Sequence, residues 1–254
     1  MYPKVRGFGL ANNGPFWAHH ITNVFIPYIR VLRDVYLKRL VPTFEDAGAE
    51  ADKVSDEVWE RLGRTASADA DPGDLAEMAH DAGIDHYMML VDARQTLANL
   101  FAVALHHLVE QQQLFILRRE LLHPKDEDNP AAITRERFVA ELQAQGIDPT
   151  AYPSWELLED LRFVANSVKH GDGASVNALK KRRPLFFTNP LLRHDPEGVA
   201  RDAAILEFHR VYQPLAGDDL YVTDDDLRQF FQAAEDFWTA LARDFYRVAG
   251  FDER

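Results

Sequence analysis

The sequence contains no cysteine, which excludes disulfides, thiolate metal sites and a cysteine nucleophile. Glycine and proline are sparse, at 13 each in 254 residues, so long stretches run unbroken and read as helix. Basic residues are outnumbered, with 28 Lys and Arg against 41 Asp and Glu and a formal net charge of −13. The chain as a whole is therefore no general binder of nucleic acid or anionic membrane. No glycine-rich phosphate loop follows a strand pattern and no Gly-x-Ser-x-Gly elbow occurs, so P-loop and α/β-hydrolase chemistry lack support. No apolar leader or membrane-spanning run is read, and the expected compartment is the cytoplasm. No cofactor or bound metal is expected, and no membrane partner.

What is present is helical periodicity. Residues 16–40 carry apolar positions at helical spacing with Pro27 as a kink, and 43–64 form a charged helix built on Val54, Val58 and Leu62. The longest clean run is 85–122, which has neither Gly nor Pro. Its apolar face is expected to be Leu97, Phe101, Ala104, Leu105, Leu108 and Phe115, with further leucines around the sides. A helix so apolar is expected at the centre of a bundle. Helices are expected at 132–144 and 154–170, and a last one at 225–248 opened by a Thr223/Asp226 capping box. Between them, 184–223 reads as irregular. Within it, 206–223 has the strand composition of a small β hairpin around Ala216-Gly217-Asp218. No domain boundary is evident, so 1–254 is expected to be a single all-α bundle with one long central helix and a minor hairpin before the last helix.

One region departs from the acidic background. Residues 162–183 hold six Lys and Arg and a single Asp. On a helical wheel Arg162, Asn166, Lys169 and His170 share one side, opposite the apolar stripe Leu157, Leu161, Val164 and Val168. Gly171-Asp172-Gly173 then breaks the helix, letting backbone approach a ligand, and Lys180, Lys181, Arg182 and Arg183 follow. A concentrated positive patch on an acidic chain points to a local phosphate site. The plain alternative is a capped helix end, because Lys and His suit a last turn and Gly171 suits the position after it.

Other constellations are weaker. His107, Glu110, Gln111 and Arg118 lie on one flank of the long helix as a possible supporting wall, whereas His106 faces away from the expected core and is expected in solvent. Glu77-x-x-His80 and Glu120-x-x-His123 have di-iron spacing but lack the inward carboxylates such a site needs. His19 and His20 beside Phe16 and Trp17 read as aromatic packing.

The phrases LRFVANSVKHGDG (161–173), LHHLVEQQQLF (105–115) and PLAGDDLYVTDDDLRQFFQAAEDFW (214–238) resemble a set of bacterial helical proteins. The layout and the Arg-to-His polar stripe more distantly resemble the HEPN superfamily of all-α, often dimeric proteins of toxin–antitoxin, abortive-infection and CRISPR-associated systems. Many of these are metal-independent endoribonucleases. The superfamily pattern puts four to six residues between Arg and His. Arg162 and His170 have seven residues between them, whereas Arg118 and His123 keep the strict spacing as a rival pair.

The resemblance implies RNA as the ligand, a homodimer, and an antitoxin or defence-system partner. It gives His170 the general acid–base role, Arg162 and Lys169 the developing phosphorane charge, Asn166 an orienting role and Lys180 to Arg183 the RNA backbone. The alternative from another class is a non-catalytic interaction module whose 162–183 patch binds an acidic partner or a nucleotide.

Overall fold

The computed structural model describes residues 9–67, 69–123, 125–171, 173–190 and 220–251. Among them the regular elements are helical: α1 Leu10–His20, α2 Ile26–Val35, α3 Ala47–Thr65, α4 Pro72–Ile116, α5 Arg135–Ala144, α6 Trp155–His170, α7 Ala174–Arg182 and α8 Asp224–Val248. The described residues fall into two compact units, one within Met1–Arg33 and Asn99–Arg254, the other Asp34–Ala98. Both junctions lie inside helices, α2 and α4, so composition gives no linker to read there.

The smaller unit is a seam of small side chains. Asp71 accepts the Gly73 amide at 2.7 Å, and Pro72, whose missing N–H costs nothing in a first turn, starts α4 thirteen residues before the expected Asp85. Gly83 faces α3, where an added Cβ would lie 2.9 Å from the Ala51 carbonyl oxygen. Ala47, Ala51 and Ala79 are buried, while Val54, Val58 and Leu62 are only half-buried.

In the larger unit, α8 is the most enclosed helix. It buries Leu227, Phe230, Phe231, Phe237, Trp238, Leu241 and Phe245. The capping box at Thr223 and Asp226 forms as expected. α8 packs on α1 and α6, and its backbone meets α1 so closely that a Cβ on Gly14 would fall 2.2 Å from the Phe245 carbonyl oxygen. The expected kink at Pro27 takes the form of a π turn over Ile21–Phe25, directly before α2. Proline lacks the N–H that would close the regular ladder there.

The long helix differs from expectation in its face. It buries Ala98, Asn99, Ala102, Leu105, His106, Val109, Gln112, Gln113 and Ile116, which includes the expected Leu105 but is otherwise turned by one residue, roughly 100°, from the expected Leu97, Phe101, Ala104, Leu108 and Phe115. Leu100 and Phe115 stay exposed, so the helix is one-sided rather than central. Its four buried polar side chains made the true face look hydrophilic. By length and composition alone Pro72–Leu121 is apolar enough to cross a membrane, contrary to the expectation of no such run, although core helices of soluble proteins meet the same criterion.

The β hairpin is also corrected: no strand occurs among the described residues. Its FHRVY half, 208–212, lies outside them. The end that is described, 220–223, is held by side chains and a turn instead of a strand. Asn99 Nδ2 donates to the Leu220 carbonyl at 2.8 Å, and the Val222 amide donates to Asn99 Oδ1 at 3.2 Å. The Tyr221 amide donates to the Phe186 carbonyl at 2.7 Å.

Asn99→Ala strands two buried backbone groups. It is expected to lower unfolding free energy by about 2 kcal/mol in urea denaturation followed by circular dichroism. An unchanged midpoint would contradict this role.

Candidate functional site

The site is built on α6. Ser154 stands at its N-cap position, and Leu158, Leu161, Val164 and Ala165 anchor one side in the core, with Leu157 and Val168 half-buried beside them. Two successive carboxylates follow the first turn. Glu159 holds two guanidiniums: Arg135, the first residue of α5, and Arg162, whose Nη2 lies at 2.9 Å. Asp160 is 1% exposed and accepts from Arg182 Nε and Arg183 Nε, both at 2.7 Å. α7 is thereby pinned by its C-terminal end to the beginning of α6.

Aromatic faces support the same cations. The Arg135 guanidinium sits 4.3 Å from the centre of the Trp155 ring and that of Arg162 4.5 Å from the Phe163 ring, with Arg182 at 5.9 Å from Phe163. Burial lowers the Arg135 pKa, against which Glu159 pulls it up. Burial opposes the Glu159 charge, but Arg135 and Arg162 outweigh it and hold the carboxyl below its ordinary range. The hydrogen bond to Asp160 raises Arg182.

The residue that the sequence reading misplaced is His106. It is 7% exposed, not solvated, because α4 turns the face containing Ala102, Leu105 and Val109 inward. Burial, then repulsion from Lys169, Arg135, Arg162 and His107, pushes its pKa down to about 4. The imidazole is therefore neutral at pH 7. Nearby, Arg162 Nε is buried without an acceptor.

The other expected residues are distributed differently. Lys169 and His170 are exposed in the last turn of α6 and Asn166 is half-buried. Arg162 and His170 are not brought together. Eight residues of helix separate them by about 12 Å along the axis, and Arg162 leans back onto Glu159. Gly171, with φ of 65°, ends the helix in a conformation suited to glycine. Asp172 lies outside the described residues. Lys180 is half-buried, 5.4 Å from the Phe187 ring, and Lys181 is exposed.

On α4, His107 and Gln111 are exposed and Glu110 is half-buried, 3.9 Å from His107. The rival pair is split by a π turn over Leu117–Leu121: Arg118 is exposed, and exposed His123 accepts the Lys125 amide at 3.2 Å. Glu120 is engaged by Trp17 Nε1 at 2.9 Å and by Asn13. Among the described residues no group of three or more His, Asp or Glu side chains is arranged to hold a metal ion. His20 packs among Phe16, Trp17, Phe25 and Phe115, as its aromatic neighbours suggested.

Four arginines thus meet two carboxylates along α6, Arg135 and Arg162 on Glu159 and Arg182 and Arg183 on Asp160. No family model matches the chain, and no curated protein or solved structure does.

The lowered His106 pKa has a consequence for stability. The unfolded chain takes up a proton near pH 6.5, while the folded state resists until about pH 4. Stability conferred by the neutral ring is therefore complete above pH 6.5 and is lost as pH falls. Between pH 7 and pH 5 the loss is expected to be about 2 kcal/mol, and His106→Gln should flatten it. Urea melts across that range in a non-phosphate buffer read this directly. Identical slopes in both proteins would contradict it.

Proposed function

We propose that the protein is a HEPN-like RNA-binding protein that grips the phosphate backbone with the α6–α7 segment. The observation that carries this reading is the placement of cations on an acidic chain. Arg135, Arg162, Lys169, Lys180, Lys181, Arg182 and Arg183 gather on α5, α6 and α7, where Glu159 and Asp160 answer only part of their charge. The fixed guanidiniums give the surface its potential, and the exposed Lys169, His170 and Lys181 are the groups a strand would meet first. Counterions released from a bound strand supply the affinity.

Strand cleavage within this reading belongs to His170 with Lys169, not to His170 with Arg162, given the distance along the helix. One imidazole has to serve as both base and acid, so a homodimer that pairs two His170 side chains is part of the catalytic version. Expression in the cytoplasm and a defence-system partner accompany the same reading.

The test is filter binding of labelled single-stranded RNA at several salt concentrations, with cleavage followed on gels in EDTA. Wild-type protein is expected to bind with strong salt dependence. A Lys169→Glu/Lys181→Glu double variant is expected to weaken binding at least tenfold, and His170→Ala to remove any cleavage while retaining binding. Equal RNA affinity in wild type and double variant would overturn the proposal. Capture of an acidic protein partner, lost in that variant, without RNA binding would favour the interaction module.

A further inference from the structure

The smaller unit carries an apolar face that its own fold leaves uncovered. Gly83, which faces α3, lies on one side of α4 with buried Ala79 and half-buried His86 and Leu90. About 120° round the helix stand Ile84, Tyr87, Met88 and Val91, at the i, i+3, i+4, i+7 spacing of a packing stripe. Each of the four is nevertheless between 41% and 51% exposed. Met78 and Met89 are exposed further round, so three of the chain's four methionines lie on this segment. Contiguous apolar surface of this kind marks an interaction site more often than scattered single side chains do.

A row of carboxylates runs along one edge of the stripe. Asp81, Asp85 and Asp92 fall within about 40° of one another round the helix. Asp81 and Asp85 are exposed and Asp92 is half-buried, and none of the three is ion-paired among the described residues. The surrounding unit has the same sign. Residues 34–98 hold 15 Asp and Glu against 6 Lys and Arg, a net charge of −9 out of −13 for the whole chain.

We propose that the face of α4 formed by Ile84, Tyr87, Met88 and Val91 is a docking surface for a basic amphipathic helix of a partner protein. The stripe receives the apolar side of such a helix, and the Asp81, Asp85 and Asp92 row meets the Lys and Arg beside it. The methionines adjust to the shape of the incoming side chains. Charge decides against the other occupants. A second copy would set one unit of −9 against another. An anionic lipid surface meets the same repulsion, and a bilayer interior would have to take in Asp85 beside Ile84. The surface uses none of the α6 and α7 cations, so it stands independently of the RNA reading.

The experiment is fluorescence anisotropy of dye-labelled peptides of about 18 residues, titrated with the full chain. One peptide has Leu and Lys at helical amphipathic spacing, the second has the same composition in scrambled order, and the third has Glu in place of Lys. The amphipathic Lys peptide is expected to bind, the scrambled one at least tenfold more weakly, and the Glu peptide not at all. Ile84→Gln/Met88→Gln is expected to weaken the Lys peptide at least tenfold, with folding checked by circular dichroism. Asp81→Lys/Asp85→Lys/Asp92→Lys is expected to reverse the preference toward the Glu peptide, a result that a merely disturbed fold does not give. Equal affinity for ordered and scrambled Lys peptides, absence of binding at high micromolar protein, or undiminished affinity in both variants overturns the proposal. So does self-association in sedimentation, or binding to phosphatidylcholine vesicles, that Ile84→Gln/Met88→Gln abolishes, because either assigns the face to another occupant.

Discussion

In the larger unit, three carboxylates each hold two arginines, and the helix arrangement depends on these clamps. Glu235, 6% exposed on α8, takes Arg30 and Arg33 of α2, each at 2.7 Å. Glu159 ties α5 to α6, and Asp160 ties the end of α7 to the start of α6. A buried carboxylate stripped of its cations would carry a penalty of several kcal/mol, so each clamp fixes which faces of two helices meet. Hydrophobic burial along α8 supplies cohesion, and the clamps supply register. At the Glu159 clamp, Arg162 Nε stays buried without an acceptor.

The two clamps on α6 do different things because their surroundings differ. Asp160 is almost fully buried while Arg182 and Arg183 reach outward, so their charge is presented to solvent. Glu159, Arg135 and Arg162 are all largely enclosed, and the two guanidiniums oppose a charge on the buried His106 ring. One clamp therefore presents its cations to solvent, and the other keeps them largely enclosed. His170 is exposed at the far end of the same helix.

Much of the helix map was legible because its signals are local. The Thr223/Asp226 box and Gly171 mark helix ends through bonds made within a few residues, whereas the start at Asp71-Pro72 was not read. The orientation of α4 was not legible. Large apolar side chains such as Leu100 and Phe115 stay exposed, while Ala98 and Ala102 with four polar residues join Leu105, Val109 and Ile116 on the inward face. Strand composition at Leu220-Tyr221-Val222 misled because the partner of that backbone is Asn99, more than a hundred residues away. The basic patch was visible from composition alone, and Arg162 and Lys169 fall at the site. Arg135 and His106 were missed because they arrive from other helices. The adjacent Glu159-Asp160 pair, three residues before Arg162, was the one local sign of the clamps.

The account of the enclosed side of α6 stands on a buried His106 ring whose protonation burial and the Lys169, Arg135 and Arg162 cations oppose. The most direct measurement is an NMR pH titration of the His106 ring, assigned by comparison with His106→Gln. The expected result is a ring that stays neutral through pH 6 and titrates near pH 4, far below the ordinary value of about 6.5. Titration near 6.5 would mean that the ring is open to water and free of its cationic neighbours, contradicting its enclosed placement.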